Sequence, residues 1–191
     1  MIKKNKTLPI IFCITLPLFL MLLSYKMTMW FTDLTDDQQN TISYLQGKEE
    51  LRLDYADDEV SHLDDVKKVM DYLDYLFYGL MLALTLIITH HKKNRKELLR
   101  LFSYGGTATI SAILIVFLLS LASFNAVFTV FHQLFFPQGN WIFPADSLLI
   151  QTFPIIFFVT ASKNIFILSL FFGMIFIFIK YPLSYVRCNR N

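Results

Sequence analysis

The sequence holds two histidines whose neighbours could support acid–base chemistry. His62 and Asp65 lie three positions apart in SHLDDVKKV, so on a helix they would share one face. His132 lies in FHQLFF, at the start of a segment rich in aromatic residues. Because an imidazole can accept and donate protons near neutral pH, two of them beside an aromatic-lined pocket would suit chemistry on a lipid ester or amine.

Other interpretations of these residues stay open. His62 and the nearby aspartates could form a solvated helix face, and the aromatic segment around His132 could be a belt that anchors the protein at the headgroup level. Two histidines with carboxylates could also hold a metal ion, although no HxxxH or HxH spacing supports such a site. The remaining histidines, His90 and His91, lie in the basic run HHKKNRKELLR and belong to its charge pattern.

The composition indicates that these residues belong to an integral membrane protein. Hydrophobic residues make up 55% of the 191 positions, whereas soluble domains contain about 45–50%. Apolar runs long enough for transmembrane helices cover about residues 8–25, 72–89, 105–128 and 164–179. The backbone must satisfy its own hydrogen bonds in lipid. We therefore expect an all-α protein with four transmembrane helices in a single membrane domain, residues 1–191.

The charges predict how these helices are oriented. Of the 17 Lys and Arg residues, 11 lie near the N-terminus, in the run at 90–100 and in the C-terminal tail. In a four-span protein all three groups fall on one side, which the positive-inside rule makes cytoplasmic. Both termini are then cytoplasmic, and the loops 26–71 and 129–163 are extracytoplasmic. This arrangement would place both His62 and His132 at the outer membrane surface.

Four further expectations concern the first span, the two outer loops and the cysteines. The first span is interpreted as an uncleaved anchor rather than a signal peptide, because no small-x-small cleavage site follows it. Residues 57–71 have helical periodicity that continues into the second span. Residues 148–161 are apolar but short and contain Pro154, which favours a re-entrant or interfacial element. The only cysteines, Cys13 and Cys188, lie outside both loops, so no disulfide or thiol nucleophile is expected there.

The chain resembles a known family of bacterial membrane enzymes, the lipoprotein intramolecular transacylases. The resemblance rests on SHLDDVKKV at 61–69, SYL at 43–45 and FHQLFF…W…LLIQTFPIIFF within 131–158, set in a four-span chain of this length. It covers nearly the whole sequence. One departure is the apolar pair Ile155 and Ile156, where a polar or acidic residue is expected; no role is carried over to those positions.

The resemblance implies a specific reaction at the outer face of the bacterial cytoplasmic membrane. The sn-2 acyl chain of an S-diacylglyceryl lipoprotein moves to the α-amine of its N-terminal cysteine and gives the lyso-form lipoprotein. The catalytic positions that the resemblance implies are His62 and His132. The amine, with a reference pKa of about 7.7–8.0, must lose a proton that an imidazole can take. Holding amine and ester of one molecule together can remove roughly 7–11 kcal/mol of barrier.

Several supporting roles follow as expectations. Asp65 is a candidate to orient His62, and Tyr44 a candidate hydrogen-bond partner near the reaction centre. The residues expected to line the acyl or headgroup site are Trp141, Phe135 and Phe136. One histidine would transfer protons while the other stabilises the tetrahedral oxyanion, and the sequence does not assign these roles. We expect no metal or organic cofactor and no nucleic-acid partner. Diacylglyceryl lipoproteins and membrane lipids are the expected partners, and the oligomeric state stays open.

Three competing functions would leave different signatures. A small transporter subunit usually carries ionisable or helix-breaking residues inside its spans, whereas the central parts of these four runs carry no charge. A non-enzymatic envelope protein would use the acidic first outer loop to bind a partner and would tolerate loss of either histidine. An acyltransferase with an external acyl donor would use the same histidines but would transfer chains between molecules.

Overall fold

The computed structural model describes residues 7–179, which are all-helical with no strand. The basic residues of both termini and Cys188 lie outside the described residues. Seven helices follow in chain order: α1 (Thr7–Phe31), α2 (Asp36–Leu45), α3 (Asp57–His91), α4 (Arg95–Ala122), α5 (Phe124–Phe135), α6 (Leu148–Thr152) and α7 (Ile155–Phe178).

Four of these helices, α1, α3, α4 and α7, are long and apolar enough to cross a membrane. Each contains most of one predicted apolar run, so the prediction of an all-α protein with four membrane helices is confirmed. Helix α3 has 35 residues and also includes the predicted outer helical segment 57–71. The short helices α2, α5 and α6 lie in the two predicted outer loops or at their edges.

The third apolar run, 105–128, is divided at Ser123. Helix α4 ends at Ala122, and the Ser123 backbone is extended, with φ −161° and ψ 99°. Its hydroxyl accepts a hydrogen bond from the Ala126 backbone N–H at 3.2 Å and caps α5, as serine commonly does at a helix start. The helix is therefore interrupted there, and His132 lies on a separate helix, α5.

Pro154 divides the predicted element 148–161. Residues before it form α6, whereas Ile155 begins α7 and the following residues form its first turns. Proline has no N–H to donate and a φ that suits the start of a helix, which explains why the helix begins directly after it. The predicted bounds 148–161 are therefore wrong for residues 155–161, which belong to α7, and for the residues before Pro154 a re-entrant or interfacial element stays a prediction.

Three apolar clusters of buried residues hold the molecule together. Two lie among the membrane helices, one around Phe12, Leu16, Leu20, Leu84 and Leu101 and a smaller one around Leu22, Phe77 and Leu80. The third joins α2, the start of α3 and α6 through buried Leu45, Tyr55, Leu63, Leu149 and Phe153. Helices α2 and α6 thus form a cap on the start of α3, with its own core.

A buried carboxylate fastens this cap. Glu59 is 3% exposed, and its two oxygens accept hydrogen bonds from the backbone N–H groups of Ala56 at 2.9 Å and Leu149 at 2.7 Å. The bond to Leu149 joins the beginning of α3 to α6, far along the sequence. Hydrogen bonds to a charged group are stronger than those between neutral groups, so Glu59 holds α6 over the helix that carries His62.

Candidate active site

The structure brings His62 and His132 together. His62 lies near the start of α3 and His132 on α5, and their ring centroids are 6.4 Å apart. Both residues are buried, with 6% and 9% of their surface exposed. Two imidazoles placed so close, yet largely shielded from water, can act on one substrate group from two directions.

Aromatic rings enclose the pair. The Phe136 ring packs against both imidazoles, with its centroid 4.8 Å from His62 and 5.7 Å from His132. Phe143 lies 5.6 Å from His62, and the Trp141 ring lies 5.0 Å from His132. Such walls exclude water and lower the local dielectric, which strengthens the electrostatic interactions made inside.

The predicted lining residues are placed at different depths. Trp141 and Phe136 contact the histidines directly. Phe135 packs on Phe131 at 4.7 Å, and it is Phe131 that contacts His132, at 5.4 Å. The sequence does not single out three rings that the structure places against the histidines: Phe131, Phe143 and Phe128, the last 4.0 Å from His132.

The Tyr44 hydroxyl is engaged by a carboxylate on α3. It donates a hydrogen bond to the Asp64 carboxylate, and the Lys67 ammonium lies 4.7 Å from the Tyr44 ring centroid. The bond to Asp64 raises the pKa of the Tyr44 phenol. Tyr44 therefore joins α2 to α3, and its hydrogen bond near the reaction centre stays a prediction.

Asp65 is the centre of a polar cluster rather than a direct partner of His62. Its Oδ1 atom accepts a hydrogen bond from the Lys68 ammonium at 2.9 Å. Its Oδ2 atom accepts one from the Gln138 side chain and one from the Asn140 side chain, both at 2.8 Å. Lys68 is the main cause of a lowered Asp65 pKa, and Asn140 and Gln138 add to it. Asp65 makes no hydrogen bond to His62, and its charge acts on the His62 ring only as a minor effect that raises the pKa of the imidazole.

The hydrogen bond of His132 determines which of its nitrogens is available. Its Nδ1 atom lies 2.8 Å from the carbonyl oxygen of Phe128, one turn earlier on α5. A carbonyl oxygen can only accept, so Nδ1 carries the hydrogen and the neutral ring keeps its lone pair on Nε2. In this form His132 is ready to accept a proton at Nε2.

Burial keeps both imidazoles neutral. The pKa of His62 is lowered from 6.5 to about 4, first by burial and then by the neighbouring His132, against opposing effects of Asn140 and Asp65. Burial also lowers the pKa of His132, and its hydrogen bond to Phe128 opposes that change. Both residues lie outside the apolar run 72–89 and the other predicted spans. At neutral pH each ring is therefore an unprotonated base.

The lowered pKa of His62 predicts a pH-dependent stability. In the unfolded chain the imidazole titrates near 6.5, whereas in the folded protein it resists protonation until about pH 4. Stability conferred by the neutral ring is complete above pH 6.5 and is lost as the pH falls towards 4, by up to about 3 kcal/mol. Equilibrium unfolding of the purified protein between pH 4.5 and 7.5 measures this loss. The His62→Gln variant should show a flatter profile, and equal slopes would contradict the assignment.

The histidine pair lies apart from the cavity between α1 and α7. That cavity has a volume of about 690 Å³, and the residues that line it include Thr28, Asp33, Phe157 and Asn164 but neither histidine. Phe157 packs on Phe158, which in turn packs on Phe128 beside His132. Within residues 7–179, no group of three or more His, Cys, Asp or Glu side chains is placed so that it could hold a metal ion.

Comparisons with known proteins agree on one family. A family model described as "Lipoprotein intramolecular transacylase Lit" matches residues 22–158, well over half of the chain. The membrane integral lipoprotein intramolecular transacylase Lit from Bacillus cereus has a similar fold, with a TM-score of 0.81, 18% identity, and coverage of 96% of this chain and 97% of that chain. A mutant structure of that protein gives a TM-score of 0.76 at 17% identity, covering 97% of this chain and 94% of that one.

A curated relative adds similarity without a function. An uncharacterized protein of Aquifex aeolicus is 26% identical over 127 residues, which is 65% of this chain and 55% of that protein. The chain thus matches only about half the length of this relative. At the identities of the solved structures, the likeness concerns the fold, and the match to the family model carries the assignment.

Proposed function

Because the chain belongs to the lipoprotein intramolecular transacylase family, Lit, and is therefore an acyltransferase of the membrane, we propose the following reaction. In this reaction, the enzyme transfers the sn-2 acyl chain of an S-diacylglyceryl lipoprotein to the α-amine of the N-terminal cysteine of the same molecule. The product is the lyso-form lipoprotein. The observation that carries the proposal is the buried pair His62 and His132, 6.4 Å apart within aromatic walls.

The reaction takes place at the outer face of the bacterial cytoplasmic membrane in this proposal. The concentration of 11 of 17 basic residues on the opposite side of a four-span chain supports this orientation. Both histidines then lie under the cap, in the single membrane domain of residues 1–191. The glycerol esters and the N-terminal cysteine of a lipoprotein anchored in the outer leaflet would meet the site at that level.

The proton balance explains why two bases are useful. The cysteine amine enters as an ammonium ion, and its conversion into an amide removes two protons from the nitrogen. One of these protons is needed by the glycerol oxygen when its bond to the acyl carbon breaks, and the other is released to water. A single imidazole would have to release the first proton before it could accept the second, whereas His62 and His132 can each take one proton.

His132 is the base that transfers a proton while the carbon–nitrogen bond forms and the carbon–oxygen bond breaks. Its Nε2 lone pair accepts the second amine proton as the carbon–nitrogen bond forms, and the resulting imidazolium donates that proton to the glyceryl oxygen as the carbon–oxygen bond breaks. The Phe128 carbonyl, 2.8 Å from Nδ1, keeps the ring in the orientation and tautomer that this role requires. The same carbonyl stabilises the imidazolium between the two transfers.

His62 stabilises the negative charge that develops on the carbonyl oxygen of the ester. It takes the first proton of the ammonium ion, and as an imidazolium it donates a hydrogen bond to the tetrahedral oxyanion. Negative charge developing on that oxygen raises the proton affinity of the ring when the charge is needed. An imidazole whose resting pKa is about 4 returns the proton to water readily once the oxyanion has collapsed.

The acyl chain passes directly from oxygen to nitrogen. Both extracytoplasmic loops lack cysteine, and neither histidine has a serine hydroxyl as a hydrogen-bond partner within residues 7–179. An amine and an ester held together by the aromatic walls react as neighbours, which can supply roughly 7–11 kcal/mol. Exclusion of water from the same walls favours aminolysis over hydrolysis of the ester.

Tandem mass spectrometry of a reporter lipopeptide tests this function. The host should make only diacylglyceryl lipoproteins, with this protein supplied or omitted. Substrate and lyso product are isomers, so the diagnostic is a fragment with the acyl chain on the cysteine nitrogen. Mixing a lipoprotein with deuterated acyl chains and unlabelled phospholipid then identifies the donor. Full retention of the label in the N-acyl group supports intramolecular transfer, whereas dilution would show an external donor, and no N-acyl fragment would refute the proposal.

A further inference from the structure

We propose that Asn140 and Asp65 are positioning residues that hold His62 as the tautomer with its hydrogen on Nδ1, so that both histidines offer Nε2 to the substrate. The inference rests on the proposed function for the roles of the histidines, but the hydrogen-bond geometry that supports it is independent of any activity. The sequence suggested Asp65 as a direct partner of His62. The structure places an asparagine between them.

The hydrogen bond to Asp65 determines the orientation of the Asn140 side-chain amide. A carboxylate can only accept hydrogen bonds, and Asp65 Oδ2 lies 2.8 Å from the Asn140 side chain. The amide end that faces Asp65 must therefore be the NH₂ group, which resolves the two possible orientations of the amide. The carbonyl end, Oδ1, consequently points away from Asp65.

The backbone around Asn140 enforces this arrangement. The segment Phe136 to Gly139 makes a turn closed by a hydrogen bond from the Gly139 N–H to the Phe136 carbonyl at 3.1 Å. Gly139 has a φ of +82°, a conformation that glycine adopts without steric cost. The side-chain amides of Gln138 and Asn140, on either side of Gly139, both donate to the same oxygen of Asp65.

The Asn140 carbonyl oxygen, Oδ1, also indicates which nitrogen of His62 carries the hydrogen. Asn140 Oδ1 and His62 Nδ1 are both buried, and neither makes a hydrogen bond within residues 7–179, so each needs a partner of the opposite kind. The Asn140 side chain interacts with the His62 ring in the sense that favours a protonated nitrogen. Two lone pairs cannot face each other in a buried site without a large penalty. The hydrogen therefore resides on Nδ1, and the neutral ring keeps its lone pair on Nε2.

The two histidines thus reach the same state by different means. His132 donates from Nδ1 to the Phe128 carbonyl on its own helix, whereas the partner that the inference gives to His62 Nδ1 is the Asn140 amide oxygen, on a side chain held by Asp65. Neither Nε2 atom makes a hydrogen bond within the part of the chain that the structure describes. Both proton acceptors that the aminolysis requires are accordingly free.

The charged groups around His62 are arranged so that its ring can remain neutral. On α3 itself, Asp65 is balanced by Lys68, and Glu59, one turn earlier, is occupied by two backbone N–H groups. On α5, His132 is the facing titratable group. The neutral amide of Asn140 transmits the orientation of Asp65 without placing a full negative charge on the ring, and His62 can remain neutral.

Nitrogen-15 NMR of histidine-labelled protein in lipid tests the tautomer directly, without an activity assay. The imidazole signals are assigned by the loss of one signal pair in each single histidine variant. We expect Nδ1 of His62 to be protonated at neutral pH in the wild type. Asn140→Leu should abolish this preference and lower the rate of N-acyl lipopeptide formation by about 10–100-fold, the usual effect of losing an outer-shell partner.

A swap of two residues separates positioning from mere packing. In the variant with both Asp65→Asn and Asn140→Asp, the residue at 65 donates to the new carboxylate, which accepts the hydrogen of His62 Nδ1. The tautomer should be restored, and the acidic limb of the pH–rate profile should move to higher pH because a carboxylate now contacts the ring. Gln138→Leu is the matched control, since it removes a bond to the same Asp65 oxygen and should leave the His62 tautomer unchanged.

The outcomes distinguish this inference from the proposed function. A wild-type spectrum with the His62 hydrogen on Nε2 would overturn the inference, whether or not the protein is active. The inference would also fail if the swap resembled Asn140→Leu in both tautomer and pH profile. If the spectra are as expected but wild-type protein yields no N-acyl lipopeptide, the proposed function fails and the positioning of His62 stands.

Discussion

Replacing either His62 or His132 with alanine should lower the initial rate of N-acyl lipopeptide formation by about 10²–10⁴-fold, the range typical for loss of a general acid–base group. Each ring accounts for one of the two protons that leave the attacking nitrogen, and the buried site offers little water to replace it. The rate is measured by the N-acyl fragment ion of a reporter lipopeptide, with purified variants in lipid. Comparable protein levels and unfolding midpoints are required for each variant.

The double variant provides a second, sharper expectation. Because both histidines serve the same transition state, His62→Ala combined with His132→Ala should lose little more activity than the worse single variant. Two independent effects would multiply instead. His90→Ala is the matched control, since His90 lies at the opposite end of α3 in the basic run and should retain wild-type activity. Full activity in either single variant would show that the histidine pair does not carry the reaction.

The sequence could predict the four membrane helices because lipid imposes a simple requirement on them. A helix that crosses the hydrocarbon core needs about 20 apolar residues, and this signal is visible in a single sequence. The association of His62 and His132 was also accessible, since the predicted topology placed both at the same membrane surface and the family resemblance marked both. Neither argument needed a distance between side chains.

The link through Asn140 could not be predicted in the same way. Asp65 and Asn140 are 75 positions apart, so no local pattern joins them. The spacing of His62 and Asp65 correctly indicated a shared helix face, but side-chain direction also depends on what each residue meets. The Asp65 carboxylate accepts its hydrogen bonds from Lys68 and from the amides of Gln138 and Asn140, and it makes none to the imidazole. The role of Glu59 is hidden for the same reason, because its partner in α6 is remote in sequence.

The helix interruptions at Ser123 and Pro154 illustrate a further limit of prediction from hydropathy. Ser123 lies within an apolar run, and averaging over a window of membrane-spanning length conceals one capping hydroxyl. The signal at Pro154 was visible, yet the sequence could not show that the residues after it continue into α7. In both places the direction of the chain is decided by one residue, whereas the prediction of a span depends on many.

Close packing of α4 against α7 predicts a large loss of stability for Gly106→Ala. A Cβ atom at Gly106 would lie 2.7 Å from the backbone carbonyl oxygen of Gly173, and neither helix backbone can yield without separating the pair. Small residues allow such close approach between membrane helices, and overpacking of this kind typically costs about 1–3 kcal/mol. Equilibrium unfolding in mixed micelles measures the change, and activity should fall with it because α7 carries Phe158 against Phe128.

Two other glycines supply the controls for this prediction. A Cβ at Gly105 would meet the side chains of Leu16 at 2.6 Å and Phe12 at 2.9 Å, whereas a Cβ at Gly79 would meet no atom within 4 Å. Alanine favours a helix over glycine by about 1 kcal/mol, so Gly79→Ala should be neutral or slightly stabilising. Gly105→Ala should lie between the two, because side-chain ends can move more readily than a backbone carbonyl. Equal stability of Gly106→Ala and Gly79→Ala would show that α4 and α7 do not depend on this contact, since only packing distinguishes the two substitutions.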